Sequence, residues 1–238
     1  NVTLTATDNF WSVAAATLDT ALAANVRLAG NLTVTGISTE TDASTKYSKT
    51  ATGASNVTLT ASDGTWSAAV SALNTDLGND IKYAGALTVT GITDKAAALT
   101  DYTTTKTGAT TNTLTADGNW SLAVATLDAA LTAGVRLAGA LTVTGITSGS
   151  ETGALTAYTT AKTGATTNTL TAADDGAWSI AASDLTTALA AGVRFAGTLT
   201  VTAIANGDET AALTAFTATK TGATNVTLTA TDNVWSVA

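Results

Sequence analysis

Aspartate stands beside asparagine or glycine at Asp8-Asn9, Asp63-Gly64, Asp117-Gly118-Asn119 and Asp174-Asp175-Gly176. Oxygen-rich turns of this kind can hold a hard cation, so Asp8, Asp63, Asp117, Asp174 and Asp175 are the candidate calcium ligands. Neither the EF-hand spacing nor a glycine-rich nonapeptide array surrounds them. Each acid also lies just upstream of an apolar stripe, where a carboxylate can cap the free N–H groups of a helix. Capping accounts for them without a metal, and no cofactor other than calcium is suggested.

The chain has no His and no Cys. The usual nucleophile–base pairs are therefore missing, as are thiolate metal sites and disulfides. A carboxylate pair would remain for acid–base work. Yet Glu40, Asp42, Asp94, Glu151, Asp208 and Glu209 fall in segments of variable length and form no recurring pair. A non-enzymatic protein is expected. Arg27, Lys82, Arg136 and Arg194 recur once per repeat, and pairing with nearby Asp is the expectation for them. Lys106, Lys162 and Lys220 recur four residues after an aromatic. An isopeptide crosslink there would need a buried Lys, an Asn such as Asn1, Asn56 or Asn225, and an acid that the pattern does not supply. Trp11, Trp66, Trp120, Trp178 and Trp235 could stack on a sugar, but a Trp opening an amphipathic stripe reads as core. The pairs Thr33/Thr35, Thr88/Thr90, Thr142/Thr144 and Thr200/Thr202 are too sparse in sequence for an ice-binding face.

The elements that carry these residues come from a repeat. Leu4, Leu59, Leu114, Leu170 and Leu228 mark one slot at spacings of 55, 55, 56 and 58. Self-similarity at such a period signals arrayed units. The boundaries are 1–55, 56–110, 111–166 and 167–224, with 225–238 opening a fifth repeat. Residues 225–238 match residues 1–14 at 13 of 14 positions, whereas residues 56–69 match them at only 10. A period of four repeats copied whole explains this, and implies a longer parent protein.

Within a repeat, Trp11, Ala15, Leu18 and Leu22 fall on one stripe at helical spacing, which predicts a helix from Trp11 to Leu22. Trp66, Trp120 and Trp178 open the same pattern. Leu18, Leu73, Leu127 and Leu185 join the five Trp as the expected core. Asn25, Asp80, Gly134 and Gly192 then suit a left-handed helix end. Strict alternation follows, with Val26, Leu28, Gly30, Leu32 and Val34 on one face. It predicts one long strand, or two strands joined by a three-residue turn at Ala29–Asn31. The block from Tyr47 through Gly53 to Leu59 reads as strand, Gly-centred turn, strand. Segments 38–46, 93–101, 147–157 and 205–215 vary in length and read as surface loops.

The fold class expected is thus an α/β or α+β tandem repeat. Each β-rich unit of about 55 residues has a strand, one short helix and two or more strands, with Val2–Ala6 and the strand at Val26 flanking the helix as a βαβ crossover. So small a core is marginal alone. Stacking into an elongated solenoid-like array supplies the missing burial, and beads of small α+β domains are the alternative.

Charge is sparse at 12% and the net charge is −8. That disfavours nucleic acid and anionic lipid. No apolar run reaches the length of a membrane span. Motifs such as Leu32-Thr-Val-Thr-Gly36 and Lys162-Thr-Gly-Ala-Thr166, set in an Ala/Thr/Gly/Asp-rich, acidic, Cys-free chain, resemble the tandem-repeat regions of very long secreted bacterial surface proteins, adhesins and S-layer-like proteins among them. The resemblance implies an extracellular or cell-surface spacer, matrix or filament segment, exported unfolded. Its partners would be further copies of the same repeat or chain. The alternative is an adhesin-type module that meets a glycan or protein through the variable loops.

Overall fold

The computed structural model describes residues 2–147, 149–172 and 176–235. Asp174, Asp175 and Asn1 lie outside the described residues. The fold is mixed α/β with parallel sheets, and among the described residues no sheet closes into a barrel. The chain divides into two compact units: residues 1–117 with 132–135, and residues 118–131 with 136–238.

In the first unit the order is β1 (Val2–Ala14), α1 (Ala15–Ala23), β2 (Val26–Ile37), α2 (Ala43–Lys46), α3 (Lys49–Thr52), β3 (Asn56–Ala69), α4 (Val70–Gly78), β4 (Ile81–Ile92), α5 (Lys95–Asp101), α6 (Thr104–Thr107) and β5 (Thr111–Ala116). These strands lie side by side in chain order, all parallel. The pair β1 and β2 with α1 between them is the expected βαβ arrangement. Repeat one joins repeat two through β2 and β3, where Asn31 faces Asn56 and Val34 faces Leu59.

The rest of the chain holds β6 (Trp120–Ala123), α7 (Val124–Thr132), β7 (Val135–Leu137), β8 (Ala140–Ile146), α8 (Glu151–Ala157), α9 (Thr160–Thr163), β9 (Thr167–Ala172), β10 (Ala177–Ala181), α10 (Ala182–Ala190), β11 (Val193–Phe195), β12 (Thr198–Ile204), α11 (Glu209–Ala215), α12 (Ala218–Thr221) and β13 (Asn225–Ala230). Two parallel ladders run β6-β8-β9-β11 and β10-β12-β13.

Three expectations are corrected. First, the helix does not begin at Trp. Trp11, Trp66, Trp120 and Trp178 all lie on strands, and the helices start at Ala15, Val70, Val124 and Ala182. The stretch Trp11-Ser-Val-Ala14 alternates in and out against β2, where Trp11 faces Leu32 and Val13 faces Val34. Pairing with a long neighbouring strand outweighs the helical stripe that these residues also fit. Second, the block after each aromatic is a one-turn helix, not a strand. Ser48 accepts a bond from Ala51 N–H, and Gly53 at φ +80° ends the turn. The central glycine is thus a left-handed helix cap. Third, the variable segments carry α2, α5, α8 and α11 rather than bare loops. A full repeat is therefore strand, helix, strand and two further helical turns, with three helical pieces where one was expected.

The strand after the first helix is continuous in β2 and β4. In the later repeats it breaks after Leu137 and Phe195 and resumes in the same direction, so no hairpin forms. Asn25 and Asp80 at φ +57°, with Gly134 and Gly192, take the left-handed position that ends the preceding helix.

Leu28, Gly30, Leu32 and Val34 are buried, while their alternating neighbours are half-exposed. Leu18, Leu73, Leu127 and Leu185 are fully buried. Trp66, Trp120 and Trp178 are buried as well; Trp11 is half-buried, and Trp235 keeps 38% of its surface. Trp235 thus departs from the expected core: among the described residues no strand pairs with its segment. Trp11, Trp120 and Trp178 donate Nε1–H to the carbonyls of Ala29, Ala138 and Ala196. The Nε1 of Trp66 is buried without an acceptor, with its ring edge-on to Tyr83.

One inward slot differs between repeats. It holds Val57 in β3 and Val226 in β13, but Asn112 in β5 and Asn168 in β9. Both Asn are fully buried. Asn112 donates to the Tyr102 carbonyl at 2.7 Å and accepts from Thr107 Oγ1; Asn168 does the same with Tyr158 and Thr163. Every polar end is paired, as burial demands.

Candidate functional site

The acidic turns sit where one strand loops out beside the next. Residues 6–9 of β1 and 61–64 of β3 bulge opposite single glycines, Gly30 and Gly85. Asp8 Oδ1 accepts the Phe10 N–H at 3.1 Å, and Asp63 Oδ1 accepts the Thr65 N–H at 3.0 Å. Asn9 at φ +61° and Gly64 at φ +75° complete the turn. This is a side chain closing its own turn, for which Asp followed by Asn or Gly is suited. The expected helix caps are not made: Ala14, Ala69 and Ala181 occupy those positions without a side-chain bond. Asp8, Asp63 and Asp117 lie on separate turns. Among the described residues no three of His, Cys, Asp or Glu gather into a cluster that could hold a metal. At Asp8 and Asp63, one carboxylate with an oxygen already bonded falls short of the six to eight oxygens calcium takes.

Two of the recurring cations, Arg136 and Arg194, serve helix ends. Arg194 donates to the carbonyls of Leu189 and Val193, Arg136 to Leu131 and Arg27 to Val26. Leu131 and Leu189 lie in the last turns of α7 and α10, whose carbonyls lack partners within the helix. For Arg27 and Arg194 the bonded acceptors are backbone carbonyls, which corrects the expectation of Asp partners. The stems of Arg27, Lys82, Arg136 and Arg194 run against Gly53, Gly108, Gly164 and Gly222. Lys106 is half-exposed and reaches Asp101 at 3.2 Å, so it lacks the burial an isopeptide bond requires.

A shallow cleft recurs at the carboxyl ends of paired strands. In repeat one it measures about 290 Å³ and is lined by Ala15, Asp19, Ile37, Asp42, Lys46 and Tyr47. In repeat three it measures about 330 Å³, with Val124, Ile146, Ser150 and Tyr158. Repeat four has about 400 Å³, with Ser183, Ile204, Asp208 and Phe216. Crevices at this end of parallel sheets are where α/β folds hold ligands. The aromatic forms one wall, and its hydroxyl is tied to the first helix. Tyr47 donates to Asp19, Tyr102 to Asn74 and Tyr158 to Asp128, at 2.9–3.0 Å. Repeat four pairs Phe216 with Thr186 in the same slots, so the hydroxyl and its acceptor leave together. In repeat one, Asp19 also binds Lys46 at 2.7 Å. Both oxygens are engaged, which makes the pair a strut between helices.

Burial, followed by the bond to Asp128, pushes the Tyr158 phenol up to about 12. An unfolded tyrosine ionises near pH 10. The folded state therefore holds its proton longer, and the stabilisation is complete below about pH 10. It is lost as pH rises from about 10 to 12. The melting midpoint should fall across that window, and Tyr158→Phe should remove part of the fall. An unchanged pH profile in that variant would rule out this contribution.

The opposite sheet face carries hydroxyls in register. Ser12, Thr33, Thr58 and Lys82 sit side by side across β1 to β4. Ser121, Thr142, Thr169 and Arg194 repeat the row across β6, β8, β9 and β11. The Thr of Thr33/Thr35 and its equivalents that looked sparse along the chain are thus brought beside other hydroxyls one strand spacing away. The signal was the fixed distance of each Thr from the repeated Leu. Among the described residues, no helix is long and apolar enough to cross a membrane. Compared with known proteins, the chain matches no family model, no curated protein and no solved structure.

Proposed function

We propose that this chain is a non-enzymatic structural segment of an extracellular surface, filament or matrix protein, its repeats stacked in a solenoid-like array that sets length. The observation that carries the reading is the join between repeats. The strand closing one repeat pairs in parallel with the strand opening the next, at β2 and β3, β4 and β5, β8 and β9, and β12 and β13. At the first join, Leu32 and Val34 of repeat one face Val57 and Leu59 of repeat two, and all are buried. A bead would bury such residues within itself. Residues 56–110 produced alone are therefore expected to be largely unfolded by circular dichroism. A cooperative melt for that fragment would sink the stacked array.

A second reading has its own observation. In the first unit, segments 38–46 and 93–101 leave the carboxyl ends of parallel strands and so emerge on one edge. An adhesin-type module would meet a glycan or protein there. Glycan-array binding that survives in wild type and is lost when 38–46 and 93–101 are replaced by Gly/Ser would favour it over the spacer.

A further inference from the structure

The lysines are partnered differently in the two units. In the first, Lys49 reaches Asp80 at 2.7 Å and Lys106 reaches Asp101 at 3.2 Å. In the second, Gly192 takes the slot of Asp80, and Ala157 and Ala215 take that of Asp101, so those acids are gone. Lys162 and Lys220 are exposed. Among the described residues Lys162 Nζ has no bonded partner, and Lys220 Nζ meets only the Thr214 carbonyl, at 2.8 Å. Arg194 uses Nη1 for the Leu189 and Val193 carbonyls. Among the described residues its Nη2 and Nε make no bond, so donors remain on the guanidinium.

These three cations fall in one line at the amino ends of the strands. The short helix α9, which carries Lys162, docks on the end of α10: Thr160 donates its N–H to the Ala191 carbonyl at 3.1 Å, just before Arg194 in the chain. Against the stem of Arg194 runs Gly222, just after Lys220. The acids lie elsewhere. Glu151, Asp208, Glu209 and Asp232 follow the carboxyl ends of β8, β12 and β13, and Asp184 stands in the first turn of α10. Asp128 is bonded to Tyr158. A row of hydroxyls leads up to the line, for Thr169 faces Arg194, Thr142 faces Thr169 and Ser121 faces Thr142.

We infer that the amino-end edge of the second unit binds a linear polysaccharide that carries a carboxylate on each sugar. Lys162, Arg194 and Lys220 meet the carboxylates, and the hydroxyl row beside Arg194 meets sugar hydroxyls. The cations stand on neighbouring chain segments, and neighbouring strands lie about 4.8 Å apart. The sugars of a linear uronate polymer recur at a similar distance, so one polymer chain can meet the cations in turn. A guanidinium with donors to spare suits a carboxylate. Each exposed ion pair contributes little by itself, but contacts linked along one polymer act together. Duplex nucleic acid fits less well: it carries one charge per about 1.7 Å, and a chain of net charge −8 repels so dense an anion. The edge uses neither segment 38–46 nor segment 93–101. It goes beyond the spacer and adhesin readings and depends on neither.

The test titrates sodium polygalacturonate into the full chain by calorimetry. Wild type should bind it at low salt and release it as sodium chloride rises, because exposed charges are screened. Neutral dextran should not bind. Lys162→Gln with Lys220→Gln removes two exposed charges and should weaken binding about tenfold, with an unchanged thermal melt. Lys49→Gln with Lys106→Gln makes the same change in net charge on lysines that already have acids, and should alter binding less than about twofold. No binding of polygalacturonate at low salt overturns the inference. So do equal losses from the two lysine pairs, which would mean attraction without a site, and tighter binding of a short DNA duplex, which would make the edge a nucleic-acid site. Binding should also survive replacement of 38–46 and 93–101 by Gly/Ser. Its loss there would move the ligand to the loops and overturn the edge.

Discussion

Gly85→Ala should lower stability by about 2–5 kcal/mol, the sum of a left-handed backbone penalty and overpacking. Gly85 sits at φ +98°, opposite the outward loop of β3. A Cβ there would run into the Gly64 carbonyl, which is backbone and has little room to move. On its other side, the Gly85 carbonyl accepts the Thr110 N–H at 2.8 Å. The residue is thus pinned between the strands before and after it. Gly91 is the control. Its φ is +72°, and nothing lies within 4 Å of a Cβ built there. Gly91→Ala should show the backbone penalty alone, about 1–2 kcal/mol. Urea midpoints of the two variants decide the matter: equal losses would mean that the crossing at Gly85 is not tight. Gly30 and Gly197 stand at the same crossing, against Asn9 and Gly176.

Trp120→Ala should cost about 3–5 kcal/mol, the usual range for emptying a large aromatic site. Trp120 is fully buried and donates to the Ala138 carbonyl at 3.0 Å. Trp235→Ala should change the stability of the single chain by less than about 1 kcal/mol, as for most surface changes. Thermal melts at low protein concentration make the comparison clean. A loss at Trp235 matching that at Trp120 would show that the last Trp is packed after all.

The repeat, the βαβ unit, the left-handed residues at Asn25 and Asp80 and the inward face of β2 were all legible in the sequence. Each depends on local rules: a period, a left-handed residue, an alternation. The start of the helix was not. Trp11, Ala15 and Leu18 fit a helical stripe, but Val13, Leu122 and Ile180 fit only a strand that alternates with Trp. Those apolar residues two places after the Trp were the overlooked signal. The one-turn helices were hidden for a different reason. Ser48-Lys-Thr-Ala-Thr-Gly53 is rich in residues of middling propensity, and its outcome rests on Ser48 capping one end and Gly53 the other. The acidic turns were recognised as turns but given the wrong work, because an Asp that closes its own turn and an Asp that caps a helix look alike one residue at a time. The clefts and the hydroxyl rows depend on strands brought together from different repeats, which spacing along the chain does not display.

The alternation of Val57 and Val226 with Asn112 and Asn168 in one buried slot bears on how such a chain finds its own register. Near-identical repeats are decoys for one another: a strand slipped by a whole repeat would still meet leucines and a glycine crossing. The Asn slot breaks that degeneracy. Val57 moved to the place of Asn112 would leave the Tyr102 carbonyl without the donor that Asn112 supplies. An unpaired buried polar group costs about 1–3 kcal/mol. Two such tags set the third and fourth repeats apart from the second. A chain built by copying itself thereby keeps a means of telling its copies apart while it folds.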